Sequence, residues 1–238
     1  MHKVFTLYYD RFKDATTSIA LKEANIKHTI LCHNNKNKFK NIYGDIIETK
    51  KPKGIQYNLN SVLENINLNE WAIVMSDDYK KSYKLDKIKN KFIECDLKYI
   101  FKNLNETIEL ADKLNVKLVG LNSTGNVLYA QKKYGKYGLI DGRMFAIKKT
   151  NFSWRNDISC ITDYYATIYH INKYKGNLIN QQCYADFERY GKKGIGSIYD
   201  RLENKKKDIL ILKNLYPNNV NIKDKKGQPK GTHIVIKR

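Results

Sequence analysis

Trp71-Ala-Ile-Val-Met-Ser-Asp-Asp78 is the stretch that decides the fold. An unbroken apolar run from Trp71 to Met75, bounded by polar residues, is the pattern of a strand buried on both faces in the middle of a sheet. The run stops at Ser76-Asp77-Asp78, so two carboxylates fall at a strand's carboxyl end, where open α/β sheets bind their ligands. Neighbouring carboxylates repel, and a hard Mg²⁺ or Mn²⁺ shared with phosphate oxygens relieves that repulsion. Ser and Asp are also favoured helix N-caps, and a cap on a following helix accounts for the same residues equally well.

Upstream of this stretch, Val4 to Tyr9 is a β-rich apolar run, Ser18 to Ile26 has helical spacing, and His28 to Cys32 is a second short strand, giving a β-α-β start. Asn34 to Lys53 is polar and lysine-rich, punctuated by Gly44 and Pro52, and predicts a long loop with a short strand around Ile46. A helical pattern from Asn58 to Ile66 then leads into Trp71. Downstream, a lysine-rich stretch without an assigned element precedes a helical stripe of Leu104, Ile108, Ala111 and Leu114, and Lys117 to Leu121 predicts a buried strand. Asn122 to Gly138 is expected to be a loop feeding a strand at Met144 to Ile147. Asp163 to Tyr174 predicts a helix, Asn177 to Tyr184 a strand, Ile198 to Leu215 a basic helix, and His233 to Ile236 a tail strand. The alternation predicts an α/β fold with a mixed central sheet flanked by helices. With no repeat or low-complexity linker, residues 1–238 are expected to form one domain.

The 44 Lys and Arg against 24 Asp and Glu leave a formal charge of +20, a field that attracts polyanions and makes nucleic acid the expected partner. Lys, Asn, Ile and Tyr all have A/T-rich codons, so a low-GC genome accounts for part of the excess. No apolar run approaches the roughly 20 residues of a membrane span, and the first residues lack the order of a secretory signal, so the chain is expected to stay in the cytoplasm. Cys32, Cys95, Cys160 and Cys183 form no CxxC pair and are expected to be ordinary buried thiols. His2, His28, His33, His170 and His233 show no metal-ligand spacing.

Four further segments bear chemistry. Lys50-Lys-Pro-Lys-Gly-Ile-Gln-Tyr-Asn58 combines cations, a permissive glycine and amide donors, a mixture suited to a diphosphate and a nucleoside or to a solvated lysine loop. Leu139-Ile-Asp-Gly-Arg-Met144 flanks a glycine with an acid and a base, which fits close passage of backbone or a tight turn. Asp163, at the start of a helix, is a candidate general base or an N-cap. Asp186 and Glu188 follow a strand as acidic candidates or as solvated charge. Tyr129, Tyr134 and Tyr137 interleave with Lys132, Lys133 and Lys136, a composition for stacking an exposed base, although tyrosine is commoner in cores.

Taken in order, these segments resemble a GT-A-fold glycosyltransferase, and more narrowly the phage-type DNA-base glycosyltransferases associated with TET/JBP-like hydroxylases. The resemblance rests on Phe5-Thr-Leu-Tyr-Tyr-Asp-Arg11, Met75-Ser-Asp-Asp-Tyr79, Leu139-Ile-Asp-Gly-Arg-Met144, Thr162-Asp163, Tyr184-Ala-Asp186 and Gly194-Ile-Gly196. It implies a nucleotide-sugar-binding half over residues 1–121 and an acceptor half over 122–238. Tyr9, Arg11, Lys53, Asn58 and Asp77 would bind a UDP-sugar donor. Asp78 would hold Mn²⁺ or Mg²⁺, with Asp186 standing in for the family's C-terminal metal-binding histidine, which has no match here; Asp141, Gly142 and Arg143 would shape the acceptor side, and Asp163 would be the base. The implied reaction moves a sugar to a hydroxymethylated pyrimidine in DNA. The metal motif departs from a plain Asp-x-Asp, and Thr162-Asp163 stands where the family has a Glu-Asp pair. Two other classes remain: a non-catalytic basic nucleic-acid-binding protein, and a glycosyltransferase with a saccharide or protein acceptor.

Overall fold

A computed structural model describes residues 2–8, 15–33, 39, 44–49, 54–188, 198–227 and 229–237. In chain order its first elements are β1 (Lys3–Tyr8), α1 (Thr16–Glu23), β2 (Thr29–His33), β3 (Asp45–Thr49), α2 (Ile55–Glu64) and β4 (Trp71–Ser76). There follow β5 (Tyr79–Asp86), β6 (Lys91–Cys95), α3 (Leu97–Lys113), β7 (Leu118–Leu121), β8 (Tyr134–Gly135) and β9 (Met144–Lys148). The chain closes with α4 (Thr162–Tyr174), β10 (Leu178–Asn180), β11 (Cys183–Phe187), α5 (Ile198–Leu215), β12 (Val220–Lys223) and β13 (His233–Ile236).

The fold is a mixed α/β, Rossmann-like arrangement around a mostly parallel sheet ordered β3-β2-β1-β4-β9-β7-β10-β8. β1 to β4 run parallel, β9 is antiparallel to both β4 and β7, and β10 returns to the parallel direction beside β7. Period-two alternation divides each central strand between two cores. Ala72 and Val74 of β4, with Phe145 and Ile147 of β9, pack against α2, α4, α5 and the β12–β13 pair. Trp71, Ile73 and Met75, with Met144 and Ala146, face α1, α3 and β11. Both faces are therefore covered, which is why β4 is apolar without interruption.

One unassigned stretch is filled and two expectations are corrected. The lysine-rich stretch after Asp78 is a hairpin of β5 and β6 in a second sheet ordered β11-β5-β6. Asn177 to Tyr184 is two strands in two sheets. The Asn180 side chain accepts from the Gln182 amide at 3.1 Å and turns the chain between them. The thiols also differ from expectation, since Cys32 and Cys183 are buried, Cys95 is half-buried and Cys160 is exposed. No described helix is long and apolar enough to cross a membrane.

Candidate functional site

Sheet order reverses at β1: the chain runs outward through β2 and β3, then returns on the other side of β1 as β4. A crevice at the carboxyl ends of β1 and β4 is where such a topology places a ligand. Asp77 and Asp78 stand there, and no helix follows them. The chain enters β5 at Tyr79, so the acid pair caps nothing. Its backbone is tied down instead. Thr17 Oγ1 donates to the Ser76 carbonyl at 2.7 Å, Thr16 Oγ1 donates to that of Asp77 at 3.2 Å, and the Glu188 amide donates to that of Asp78 at 2.9 Å. The Tyr79 amide donates to Thr17 Oγ1 at 3.0 Å. The first turn of α1 thus packs against the acid pair. The Thr-Thr-Ser sequence of residues 16–18 is a helix-start signal that would have pointed to these ties.

Arg143 comes in from the neighbouring strand. Because β9 is antiparallel to β4, its beginning lies beside β4's end, and the Ser76 amide donates to the Arg143 carbonyl at 2.8 Å. The Arg143 guanidinium grips Asp141 in a two-pronged contact, with Nε at 2.8 Å from Oδ1 and Nη2 against Oδ2. Its pKa is raised first by that hydrogen bond, with the charges of Asp141, Asp186 and Asp78 adding to it. The guanidinium also lies 5.9 Å from the Phe187 ring centre. Asp186 reaches this place because β11 pairs with β5, and an irregularity between Asp186 and Phe187 shifts the register there.

Asp163 completes the group. It lies in the first turn of α4, whose N-cap position is Ile161, and so is not itself the cap. Part of its surface reaches solvent, yet it is densely surrounded by protein. Burial, with the negative charge of Asp141 second, raises its pKa to about 6, outweighing the backbone hydrogen bonds that favour the anion. A small pocket lined by Leu59, Ile140, Phe145, Trp154 and Ala166 supplies the apolar surroundings. A Cβ added at Gly142 would sit 3.4 Å from the Asp163 Cβ, so the Asp141-Gly-Arg143 turn passes directly against this carboxylate. A cleft of about 820 Å³ opens between α1 and the small sheet, with Thr16, Lys80, Lys81, Glu94 and Asp186 among its lining residues.

The structure therefore brings together Asp78, Asp141, Gly142, Arg143, Asp163 and Asp186, six residues from four separate stretches. Asn58 is buried in the first turns of α2, near the carboxyl end of β3 on the same sheet edge, and accepts from Thr49 Oγ1 at 3.3 Å. Tyr9, Arg11 and Lys53, with Gly194 and Gly196, lie outside the described residues. Of the tyrosine–lysine segment, Tyr129 is exposed, while Tyr134 is half-buried with Lys133 5.3 Å from its ring centre. An aromatic cluster that was not anticipated lies on the small sheet: Tyr83 and Tyr184 stack at 4.7 Å, and Phe92 meets Tyr184 edge-on at 5.0 Å. The period-two spacing of Tyr79, Lys81, Tyr83 and Leu85 is its only trace in sequence.

Among the described residues, no three or more His, Cys, Asp or Glu side chains gather closely enough to hold a metal by themselves. The donor chemistry does suit a hard cation, because Asp78 and Asp186, whose charges both act on Arg143, offer carboxylate oxygens. Mg²⁺ commonly takes only one or two carboxylates and fills its remaining positions with water and phosphate. The fit is to a cation that arrives with a phosphate ligand.

No protein-family model matches the chain, and no curated protein matches it. Among solved structures it is similar to a 4-diphosphocytidyl-2C-methyl-D-erythritol synthase from Anaerococcus prevotii, at 8% identity and a TM-score of 0.42, covering 89% of this chain and 98% of that one. It is also similar to the inositol-1-phosphate CTP transferase from T. maritima, at 11% identity and a TM-score of 0.42, covering 86% and 96%.

Proposed function

We propose that the protein is a nucleotide-dependent transferase, and specifically one that moves a sugar from a nucleotide sugar to a hydroxymethylated pyrimidine in DNA. One observation carries this reading. Asp78, Asp141, Arg143, Asp163 and Asp186 converge at the end of the sheet where a nucleotide is expected, around a carboxylate with a pKa of about 6. A base poised near neutral pH is what removal of a proton from a hydroxyl requires.

In this reading the donor diphosphate lies at the β1–β4 crevice beside the α1 N-terminal turn. A divalent cation held by Asp78, with Asp77 and Asp186 contributing, would neutralise the diphosphate as it leaves. Arg143, fixed by Asp141, keeps a permanent positive charge at the same place. The bond between the sugar's anomeric carbon and the diphosphate oxygen breaks, and the acceptor hydroxyl oxygen forms the new bond to that carbon. Asp163 takes the hydroxyl proton. Gly142 has no side chain to keep the acceptor from Asp163. The +20 charge suits a polyanionic acceptor better than a neutral saccharide.

The test is release of nucleoside diphosphate from a panel of nucleotide sugars, with Mg²⁺ or Mn²⁺, in the presence and absence of DNA carrying hydroxymethylated pyrimidines. Release stimulated by the modified DNA, and abolished by Asp78→Ala with DNA binding intact, is the expected result. No release from any donor, with any acceptor, overturns the transferase reading and leaves a basic DNA-binding protein.

A further inference from the structure

The β5–β6 hairpin is unlike the rest of the molecule. From residue 79 to 95 it carries Lys80, Lys81, Lys84, Lys87, Lys89 and Lys91 against two acids, Asp86 and Glu94. Lys81 pairs with Glu94 at 2.8 Å, but Lys87, Lys89 and Lys91 make no ion pair among the described residues. β11 flanks β5 only from Tyr79 to Lys84. Past that point β5 and β6 continue as a two-stranded ribbon, pairing Leu85 with Phe92 and Asp86 with Lys91.

The tip is shaped rather than loose. Asp86 Oδ1 accepts from the Ile88 and Lys89 amides, both at 3.0 Å, and Asn90 takes the left-handed conformation at φ 46°, as Asn does in turns. This geometry presents Ile88 at the apex, 96% exposed, between Lys87 and Lys89. A single exposed isoleucine is ordinary on a protein surface. One held at the apex of a lysine-flanked ribbon has the form of the devices that enter a nucleic-acid groove, where cations meet phosphates and an apolar side chain wedges between base steps.

We propose that the β5–β6 hairpin is an arm for double-stranded nucleic acid, with Lys87, Lys89 and Lys91 on the backbone phosphates and Ile88 inserted into the base stack. The inference rests on the DNA-acceptor reading of the transfer site and adds to it a second hold on the duplex. β5 begins at the residue after Asp78 and ends at Asp86, so the arm's tip stands on the order of 25 Å along the strand from the acid pair and holds the duplex beyond the transfer site.

The experiment uses the full chain without nucleotide sugar, so it is independent of turnover. Binding to a fluorescein-labelled duplex is followed by anisotropy across a salt series, for wild type, for combined Lys87→Ala, Lys89→Ala and Lys91→Ala, and for Ile88→Ala. Each lysine lost from a phosphate lowers the slope of log K against log salt by about 0.9, so the triple variant is expected to lose about 2–3 from that slope. Ile88→Ala is expected to keep the slope. It should also lose the fluorescence rise that wild type produces from an adenine analogue placed within the duplex. Melting temperatures of both variants should match wild type, because every substituted side chain is exposed. An unchanged slope in the triple variant overturns the proposal, as does equal or tighter binding to heparin or to phosphatidylserine vesicles. If arm-dependent DNA binding holds while no donor is ever cleaved, the transfer reading alone fails.

Discussion

β4 and β5 are consecutive strands two residues apart, and they differ in almost every respect. β4 is Trp-Ala-Ile-Val-Met-Ser, buried from Trp71 through Met75, with side chains feeding the cores on both faces of the main sheet. β5 is Tyr-Lys-Lys-Ser-Tyr-Lys-Leu-Asp, with Ser82 its only buried residue. Both strands are paired on both sides, but β4 is held in addition by packing on two faces and β5 only by a few aromatic contacts. The contrast teaches that the scaffold and the working surface obey different constraints. Burial on two faces forces a hydrophobic run, whereas a strand with a single buried residue is free to carry charge.

Substitutions can break or sharpen that contrast. The largest expected effect is at the site the scaffold supports. Asp163→Asn should lower kcat/KM for sugar transfer by about 10²–10⁴-fold, the usual contribution of a general base. Wild-type kcat/KM should fall as pH drops through about 6, because the carboxylate is the active form. The same change should stabilise the fold. Above about pH 6 the carboxylate is charged in both folded and unfolded chains, and the folded state bears the cost of holding it. As pH falls from about 6 towards 3.8 the folded state binds the proton first and the cost disappears. Asp163→Asn should therefore gain up to about 3 kcal/mol at pH 8 and nothing below about pH 4, measured by urea unfolding.

Next is the scaffold itself. Ile73→Ala, at a position 1% exposed in β4, should cost about 2–5 kcal/mol in urea unfolding. Tyr184→Ala on the small sheet should cost less, about 1–3 kcal/mol, because it removes one stacked and one edge-on partner from a half-buried cluster. The smallest effect is expected for Lys81→Ala in β5, within about 0.5 kcal/mol, since its pair with Glu94 is largely in water. A cost near that of Ile73→Ala would mean that the two strands are not held as differently as their burial indicates.

The same difference sets what could be read from the sequence. β1, β4, β7 and β9 declare themselves as apolar runs, and α1, α2, α3, α4 and α5 as helical stripes, because each answers to a core. β5 escapes because lysine and tyrosine dominate it, and β6 and β12 because five and four residues with an interrupted apolar pattern leave only weak alternation. β10 and β11 merged into one expected strand because both are apolar enough to pack. The turn that separates them is held by the Asn180 side chain, which accepts from the Gln182 amide, and by Asn122, whose side-chain amide donates to the Gln181 carbonyl at 3.0 Å. Among the site residues, Asp78, Asp141, Arg143, Asp163 and Asp186 were legible as charged residues at the ends of elements. Their mutual arrangement was not, since it depends on β9 running antiparallel beside β4 and on the register of β11 against β5.

The two-residue connection between β4 and β5 has a consequence for how this chain tolerates change. Surface loops ordinarily accept insertions at little thermodynamic cost. Here Asp77 and Asp78 form the whole connection, and the carbonyls of residues 76–78 are each claimed by a different donor, from Thr17, Thr16 and Glu188. A residue added between Ser76 and Tyr79 would break at least one of those bonds and move the acid pair away from Arg143. The connection has no slack, and its length is as much a part of the site as its chemistry.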